Sequence, residues 1–85
     1  MKLVYMELDP KYQDLRILFE KAVTARKRTL FIDAYIKFFE KLEEFLKLAK
    51  KLGLSEEDID RYYPDVVYME KSIRERYEEW TSVIV

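Results

Sequence analysis

The feature that most constrains how this chain can fold is a long stretch without glycine or proline. Neither residue occurs from Lys11 to Leu52, and Gly53 is the only glycine in the sequence. Because these two residues interrupt helices most strongly, their absence over such a length favours helix. Apolar side chains within the stretch recur at spacings of three and four residues, the period of one helical face. The sequence therefore predicts an all-α fold.

Two apolar stripes occupy this region and point in opposite directions. The first comprises Leu8, Tyr12, Leu15, Phe19 and Ala22. The second comprises Phe31, Tyr35, Phe38, Leu42, Phe45, Ala49 and Leu52, and it is widened by Ile32, Ile36, Phe39 and Leu46. On one helical wheel the stripes lie on nearly opposite sides, so the apolar face reverses within residues 24–29. Two helices folded back on each other would bury both stripes in one core, with its centre at Phe38, Leu42 and Phe45.

A single long, bent helix is the alternative to this hairpin. Residues 24–29 contain no strong helix breaker, and a weaker apolar line continues through them at helical spacing. Such a helix would need partners on two sides, as in a dimer packed around it. Both arrangements are compatible with the sequence.

Capping residues mark the helix ends. Asp9 and Pro10 together indicate a helix start, because aspartate caps backbone N–H groups and proline fits the first turn. Gly53 suits the end of the second long helix. The Ser-Glu-Glu-Asp sequence at 55–58 resembles a capping box, and Pro64 disfavours helical geometry in the residue before it.

These signals predict helices at residues 10–24, 28–52, 55–62 and 65–80. The β-branched residues within 81–85 favour extended structure, and residues 2–7 are similarly ambiguous, so the two ends are candidates for a short paired strand. We therefore expect one domain over residues 1–85, a small bundle of three to four helices with short extended termini.

The composition argues against catalysis. The chain contains no histidine and no cysteine, which removes the commonest general base, the thiolate nucleophile and the usual zinc ligands. A single glycine cannot form a glycine-rich phosphate loop. The acidic residues alternate with lysine and arginine, as on solvated helix faces. We expect no enzyme activity, no metal and no cofactor.

The same composition indicates a hot environment, whereas the absence of cysteine does not report on the redox state of the compartment. Asparagine is absent, glutamine occurs once, and charged residues make up 39% of the chain, a balance typical of thermophiles. No apolar run approaches the roughly 18 residues that cross a bilayer, and the N-terminus lacks the features of a signal peptide. We therefore expect a cytoplasmic protein with no membrane contact.

One basic cluster, Arg26-Lys27-Arg28, is a candidate for phosphate contacts. The net charge is −1 and the isoelectric point about 5.5, opposite to the usual character of nucleic-acid-binding domains. Direct nucleic-acid binding is therefore expected to be weak or absent, with a contact inside a larger complex as the alternative.

Aromatic residues at the predicted break and near the C-terminus are candidates for contact with a protein partner. Most aromatic side chains fall on the stripes and are expected in the core, whereas exposed aromatic side chains at breaks and ends are good interface anchors. The candidate partner-binding residues are Tyr62, Tyr63, Trp80, Val83, Ile84 and Val85. The alternative is that these side chains close the ends of the core.

The first ten residues, Met1 to Pro10, and the Lys/Glu/aromatic helix from Phe31 to Gly53 resemble the small helical proteins of hyperthermophilic crenarchaea. Among these, the chain is similar to the small accessory subunit of the B-family replicative DNA polymerase. The resemblance assigns no functional residue. It implies a non-catalytic subunit that stabilises a DNA polymerase holoenzyme by binding its catalytic subunit.

Three functional classes are consistent with these observations. A protein-binding accessory subunit is favoured by the absence of catalytic residues and by the surplus of apolar side chains. A small DNA-binding or regulatory protein is favoured only by the basic cluster. A structural homodimeric helical bundle is favoured by the reversing stripes.

Overall fold

The computed structural model describes residues 2–82, and side chains are described for residues 5–81. Four helices account for this part of the chain: α1 (Lys2–Thr24), α2 (Arg28–Lys51), α3 (Glu56–Tyr62) and α4 (Asp65–Ser82). The described residues contain no strand. The predicted all-α fold is confirmed.

The helical hairpin is confirmed, and the continuous bent helix is wrong. α1 ends at Thr24 and α2 begins at Arg28, so the chain reverses where the apolar face was predicted to reverse. The main line of each stripe is buried or half-buried, because the antiparallel helices turn the two stripes toward each other. Within the range whose side chains are described, the residues with no exposed surface are Leu8, Leu15, Ala22, Phe31, Phe38, Phe45, Ala49 and Ile73. Leu42, the third predicted core centre, is 5% exposed.

The connection from α2 to α3 follows the predicted capping signals. Gly53 has a φ of 85°, a left-handed conformation that favours glycine and ends α2. The Ser55 hydroxyl accepts a hydrogen bond from the Asp58 backbone N–H at 3.2 Å, and the Ser55 N–H donates to the Asp58 carboxylate at 3.0 Å. This capping box lowers the pKa of Asp58, chiefly through the Ser55 N–H.

α4 covers one side of the hairpin and is held there by aromatic contacts. The Tyr77 ring stacks on Tyr35 with centroids 4.6 Å apart, and the Trp80 ring stacks on Phe31 at 5.9 Å. These contacts place the C-terminal part of α4 beside the N-terminal part of α2. α4 is therefore antiparallel to α2.

Arg76 fastens α4 to the end of α1. Its guanidinium donates from Nε to the Ala22 carbonyl and from Nη2 to the Ala25 carbonyl, both at 3.2 Å. The last carbonyls of a helix have no partner within the helix, and a positive charge is favourable there. One half-buried side chain therefore caps α1 and joins it to α4.

Replacing Arg76 with glutamine is expected to lower the free energy of unfolding by about 1.5–3 kcal/mol, the range for hydrogen bonds to charged groups. Denaturant unfolding followed by circular dichroism measures this loss. Lys71→Gln is the matched control, since Lys71 is exposed on the same helix and its replacement should change stability by less than about 0.5 kcal/mol. Equal stability of the two variants would show that the Arg76 contacts contribute nothing.

The predicted helix start at Asp9-Pro10 is wrong, as is the extended structure predicted for residues 2–7. α1 begins at Lys2 and continues through Pro10. Tertiary contacts override the local signal: Leu8 is fully buried, and the Tyr5 ring lies 4.6 Å from that of Tyr62. Asp9 accepts a hydrogen bond from the Tyr63 hydroxyl where the prediction had it capping a helix.

The C-terminal boundary also differs from the prediction. α4 extends through Ser82, so the first two residues of the predicted extended segment are helical. Residues 83–85 lie outside the described part of the chain.

The bundle measures 47 × 20 × 16 Å with a radius of gyration of 14.0 Å, against about 12 Å for a compact domain of this length. Its elongated shape leaves long helical faces at the surface.

Candidate functional site

Large apolar side chains are exposed on several faces of the bundle. Among residues 5–81, those more than one-third exposed are Met6, Ile17, Leu30, Ile36, Leu46, Tyr62, Val67 and Tyr68. A single exposed apolar side chain is ordinary in a soluble protein, whereas adjoining ones indicate a binding site.

Two surface grooves meet along α2, at Leu42 and Leu46. One groove, of about 360 Å³, is lined by Phe39, Leu42, Glu43, Leu46, Lys47 and Lys50. The other, of about 310 Å³, lies among α2, α3 and α4. It is lined by Leu42, Leu46, Ile59, Val66, Val67, Glu56, Asp60 and Glu70. We call the two together the Leu46 surface and the second one the acidic groove.

The two most exposed apolar side chains of this surface are Leu46, at 43%, and Val67, at 54%. They project from different helices over a floor that includes the buried residues Ile59 and Val66. The arrangement is an apolar centre with charged residues around it, as in the core and rim of a protein interface.

The charges around the Leu46 surface are partly paired. The Lys47 Nζ lies 2.9 Å from Glu43 Oε1, and both side chains are exposed. Each side chain stabilises the charged form of the other. The pKa of Glu43 is therefore lowered and the pKa of Lys47 is raised. Arg74 lies 3.2 Å from Glu70, and its guanidinium sits 4.7 Å from the centre of the Phe39 ring. These pairs are exposed and contribute little to stability.

The sequence signal for this surface was the width of the second apolar stripe. Phe39 and Leu46 lie beside the main line of buried residues, and α4 together with α3 covers only part of that width. Val67 gave no comparable signal, because it stands next to the buried Val66 and only the packing of α4 decides which of the two faces outward. The surface was therefore missed as a site, although part of its α2 side was visible.

The predicted partner-binding residues do not form one surface. Tyr62 is 46% exposed, whereas Tyr63 is 6% exposed and belongs to the core. The Tyr63 ring packs edge-on against Phe45 at 5.3 Å, and its hydroxyl donates to Asp9 at 2.5 Å. Trp80 is half-buried. For Tyr63 and Trp80 the structure therefore favours the alternative that they close the core, and Val83, Ile84 and Val85 lie outside the described residues.

Two tyrosine hydroxyls are held in their neutral form by this packing. Burial and, to a smaller extent, the hydrogen bond to Asp9 raise the pKa of Tyr63 far above its usual value. Burial and a 2.8 Å hydrogen bond to Asp65 raise the pKa of Tyr12. Neither group is poised for acid–base chemistry at neutral pH, and both link α1 to the region around Pro64.

Stability is expected to fall as the pH rises above 10.0, the ordinary pKa of a tyrosine. The folded protein keeps the Tyr63 proton in a range where the unfolded chain releases it. The unfolded state then binds fewer protons, and the free energy of unfolding decreases with pH. Unfolding midpoints measured across this range should fall less steeply for Tyr63→Phe than for the wild type. Midpoints that fall equally steeply with pH in the wild type and in Tyr63→Phe would contradict the raised pKa of Tyr63.

The basic turn, Arg26-Lys27-Arg28, comprises the end of the connection between α1 and α2 and the first residue of α2, and all three residues are exposed. It borders a groove of about 500 Å³ that Lys21 and Lys37 also line. Lys37 pairs with Asp33 at 3.1 Å, whereas no residue of the basic turn forms an ion pair within residues 2–82. Arg28 is 18 residues from Leu46, or about 27 Å along α2. The two surfaces are therefore separate.

Neither a metal centre nor a membrane span is found in the described part of the chain. Its acidic residues form no group of three or more that could hold a metal ion. Among residues 2–82, no helix has both the length and the apolar character that crossing a membrane requires.

In comparisons with known proteins, the chain matches no family model, no curated protein and no solved structure. The resemblance to a polymerase accessory subunit thus stays a prediction. What can be inferred about function rests on the residues and geometry of this chain.

Proposed function

We propose that this chain is a non-catalytic, protein-binding accessory subunit that docks on its partner through the Leu46 surface. The observation that carries the proposal is the meeting of two grooves at Leu46, with Val67 exposed on the opposite wall. The exposed Leu30 and Tyr68 border other grooves, but each of those grooves has one buried lining residue, Ala34 or Met69, whereas the acidic groove has three: Leu42, Ile59 and Val66. A partner covering this surface would remove both side chains from water.

The shape of the molecule supports the same function. An elongated bundle of 85 residues has a small core and much exposed helix, so an additional interface would add substantially to its buried apolar area. Apolar anchors at the centre of an interface carry most of its binding energy, and the charged rim excludes water around them. Leu46 and Val67 are the anchors in this proposal.

The identity of the partner is a further part of the proposal. The resemblance noted from the sequence makes the catalytic subunit of a replicative DNA polymerase, in the cytoplasm of a thermophilic archaeon, the first partner to test. The Leu46 surface itself specifies only a protein with a complementary apolar patch.

Leu46→Gln is expected to weaken binding to the purified partner about 30-fold, since losing a central anchor costs about 2 kcal/mol or more. Ile17→Gln is the matched control, because Ile17 is 52% exposed on α1 but does not border either groove. It should bind within a few-fold of the wild type. Isothermal titration calorimetry with each folded variant measures both values, and equal affinities would contradict the proposal.

Partner identification precedes that titration. A photo-crosslinking amino acid at position 46, with position 17 as the control, would be used in extracts of the source cell. The polymerase catalytic subunit, expressed separately, is tested in parallel. A cross-linked protein is accepted as the partner only if its purified form binds the chain and binds the Leu46→Gln variant more weakly.

Nucleic-acid binding through the basic turn is the second candidate function. It is favoured by the absence of ion pairs at Arg26, Lys27 and Arg28 within residues 2–82. Replacing all three with alanine separates the two functions: the accessory-subunit proposal expects protein binding to persist, with any salt-dependent retention on DNA lost. Tyr62→Ala belongs in the same series, because Tyr62 is the exposed member of the predicted aromatic contacts.

A homodimer is the remaining alternative. A second copy packed on the Leu46 surface would bury the same anchors and would need no other partner. The mass of the chain in solution, measured by light scattering, distinguishes the cases. The accessory-subunit proposal predicts a monomer. A dimer that Leu46→Gln converts to a monomer would contradict that proposal and support the homodimer.

A further inference from the structure

The acidic groove carries charge of one sign on its lining. Five of its lining residues are apolar, the other three are Glu56, Asp60 and Glu70, and no lysine or arginine is among these described residues. Glu70 is paired with Arg74, whereas Glu56 and Asp60 form no ion pair within residues 2–82. A segment lying in this groove would therefore meet negative charge beside an apolar floor.

Helix capping explains only part of this charge. Glu56 lies in the first turn of α3, where a carboxylate is stabilised by the partial positive charge of the helix N-terminus. Asp60 and Glu70 lie beyond the first turns of α3 and α4, so that explanation does not apply to them. Asp60 and Glu70 stand on opposite helices around the apolar floor, and Arg74 already pairs with Glu70. The carboxylates of Glu56 and Asp60, unpaired within residues 2–82, therefore complement a positively charged ligand most directly.

The walls of the Leu46 surface favour a helical ligand. The acidic groove meets α2 at Leu42 and Leu46. The adjoining groove, which Lys47 and Lys50 line, extends along α2 from Phe39 to Lys50, a rise of about 16 Å or three helical turns. α3 and α4 form the facing wall. An extended peptide could add to a sheet only at a free strand edge, and residues 2–82 contain no strand. A helix lying in an apolar groove between helices is the recognition mode that fits these walls.

We infer that the occupant of the acidic groove is an amphipathic helix of a partner protein, with apolar anchors against Leu46 and Val67 and flanking lysine or arginine side chains facing the carboxylates. This inference rests on the proposed function and names the chemistry of the partner segment. Complementary rim charges speed association and select against partners of the wrong charge, and their effect weakens as salt increases. The apolar anchors supply the affinity, and the acidic rim selects the sequence.

Two synthetic peptides provide the probe. Both form amphipathic helices of the same length with the same apolar stripe; one has lysines beside the stripe, and the other has glutamates at the same positions. Their dissociation constants for the full chain are measured by fluorescence anisotropy at low and high salt. The lysine peptide is expected to bind about tenfold or more tightly than the glutamate peptide at low salt, with the difference shrinking at high salt.

A charge-reversed variant locates the effect. Asp60→Lys with Glu70→Lys should invert the preference, so that the glutamate peptide binds more tightly. Asp14→Lys with Glu20→Lys is the matched control, because it makes the same change in net charge at exposed positions of α1 and should keep the preference for the lysine peptide. Leu46→Gln, added to either double variant, should weaken binding of the lysine peptide.

The inference is overturned if the wild type binds neither peptide, binds both equally, or prefers the glutamate peptide. It is also overturned if the two double variants behave alike, since the preference would then reflect net charge. These outcomes leave the proposed function standing as long as Leu46→Gln still weakens the purified natural partner. If that partner is unaffected by Leu46→Gln, the proposed function fails, whatever the peptides show.

Discussion

Phe45→Ala is expected to lower the free energy of unfolding by about 3–5 kcal/mol, the usual cost of deleting a buried aromatic ring. Phe45 has no exposed surface. Its ring packs edge-on against Tyr63 with centroids 5.3 Å apart, so truncation leaves a cavity between α2 and the α3–α4 connection. Small domains are stable by only about 5–15 kcal/mol, and the variant should unfold at a much lower denaturant concentration.

Ile36→Ala is the control for this experiment. Ile36 lies on the same helix and is 51% exposed, so its truncation should change stability by less than about 0.5 kcal/mol. Unfolding curves followed by far-ultraviolet circular dichroism give both values. If the two variants unfold at the same denaturant concentration, the face of α2 that carries Phe45 is not the core.

Tyr63→Ala is expected to cost a similar amount, about 3–5 kcal/mol by comparison with other buried aromatic rings. The Tyr63 ring lies 4.9 Å from that of Tyr12 and 5.3 Å from that of Phe45, and its hydroxyl bonds to Asp9. It therefore joins α1, α2 and the segment between α3 and α4. Tyr63→Phe keeps the ring and removes the hydroxyl, and should cost about 1.5–3 kcal/mol, the range for a hydrogen bond to a charged group.

The neighbouring Tyr62 is the matched comparison for Tyr63. It is 46% exposed and contacts the Tyr5 ring at the surface, so Tyr62→Ala should be far less destabilising. Thermal melts of the two alanine variants decide between core and surface roles for the pair. A larger loss at Tyr62 than at Tyr63 would reverse the assignment and restore Tyr63 as a candidate for partner contact.

The hairpin was predictable because its signal extends over many residues. Two stripes of opposite direction, each several turns long, admit only one compact solution for a monomer, and Thr24 and Arg28 bound the break within that segment. The capping box at Ser55 was predictable for a different reason. Its hydrogen bonds are local, so the residues that form them are adjacent in sequence.

The start of α1 was not predictable from the same kind of local signal. Asp9-Pro10 is a good helix start in isolation, and tertiary contacts, including those with Tyr62 and Tyr63 more than 50 positions away, hold the preceding turns in the helix. Pro10 removes one backbone hydrogen bond, and the burial of Leu8 and the Tyr5–Tyr62 contact offset that loss. Local propensity was outweighed by tertiary packing.

The location of the candidate site was only partly predictable. Tyr62 and Tyr63 have the same side chain, and their different exposure follows from the direction in which the chain leaves α3. The exposure of Leu46 likewise depends on how far α4 extends across α2. Such facts follow from the packing of helices, which periodicity along one helix does not describe.

The absence of cysteine from the sequence permits a direct test of the central claim that the Leu46 surface binds the partner. Single cysteines replace Leu46, Val67, Ile17 or Arg28, and the rate of thiol labelling is measured for each variant alone and in complex with the purified partner. The proposed function predicts that the partner slows labelling strongly at positions 46 and 67 and leaves positions 17 and 28 unchanged. Labelling at 46 and 67 as fast in the complex as in the free chain, with protection at 17 or 28, would contradict it.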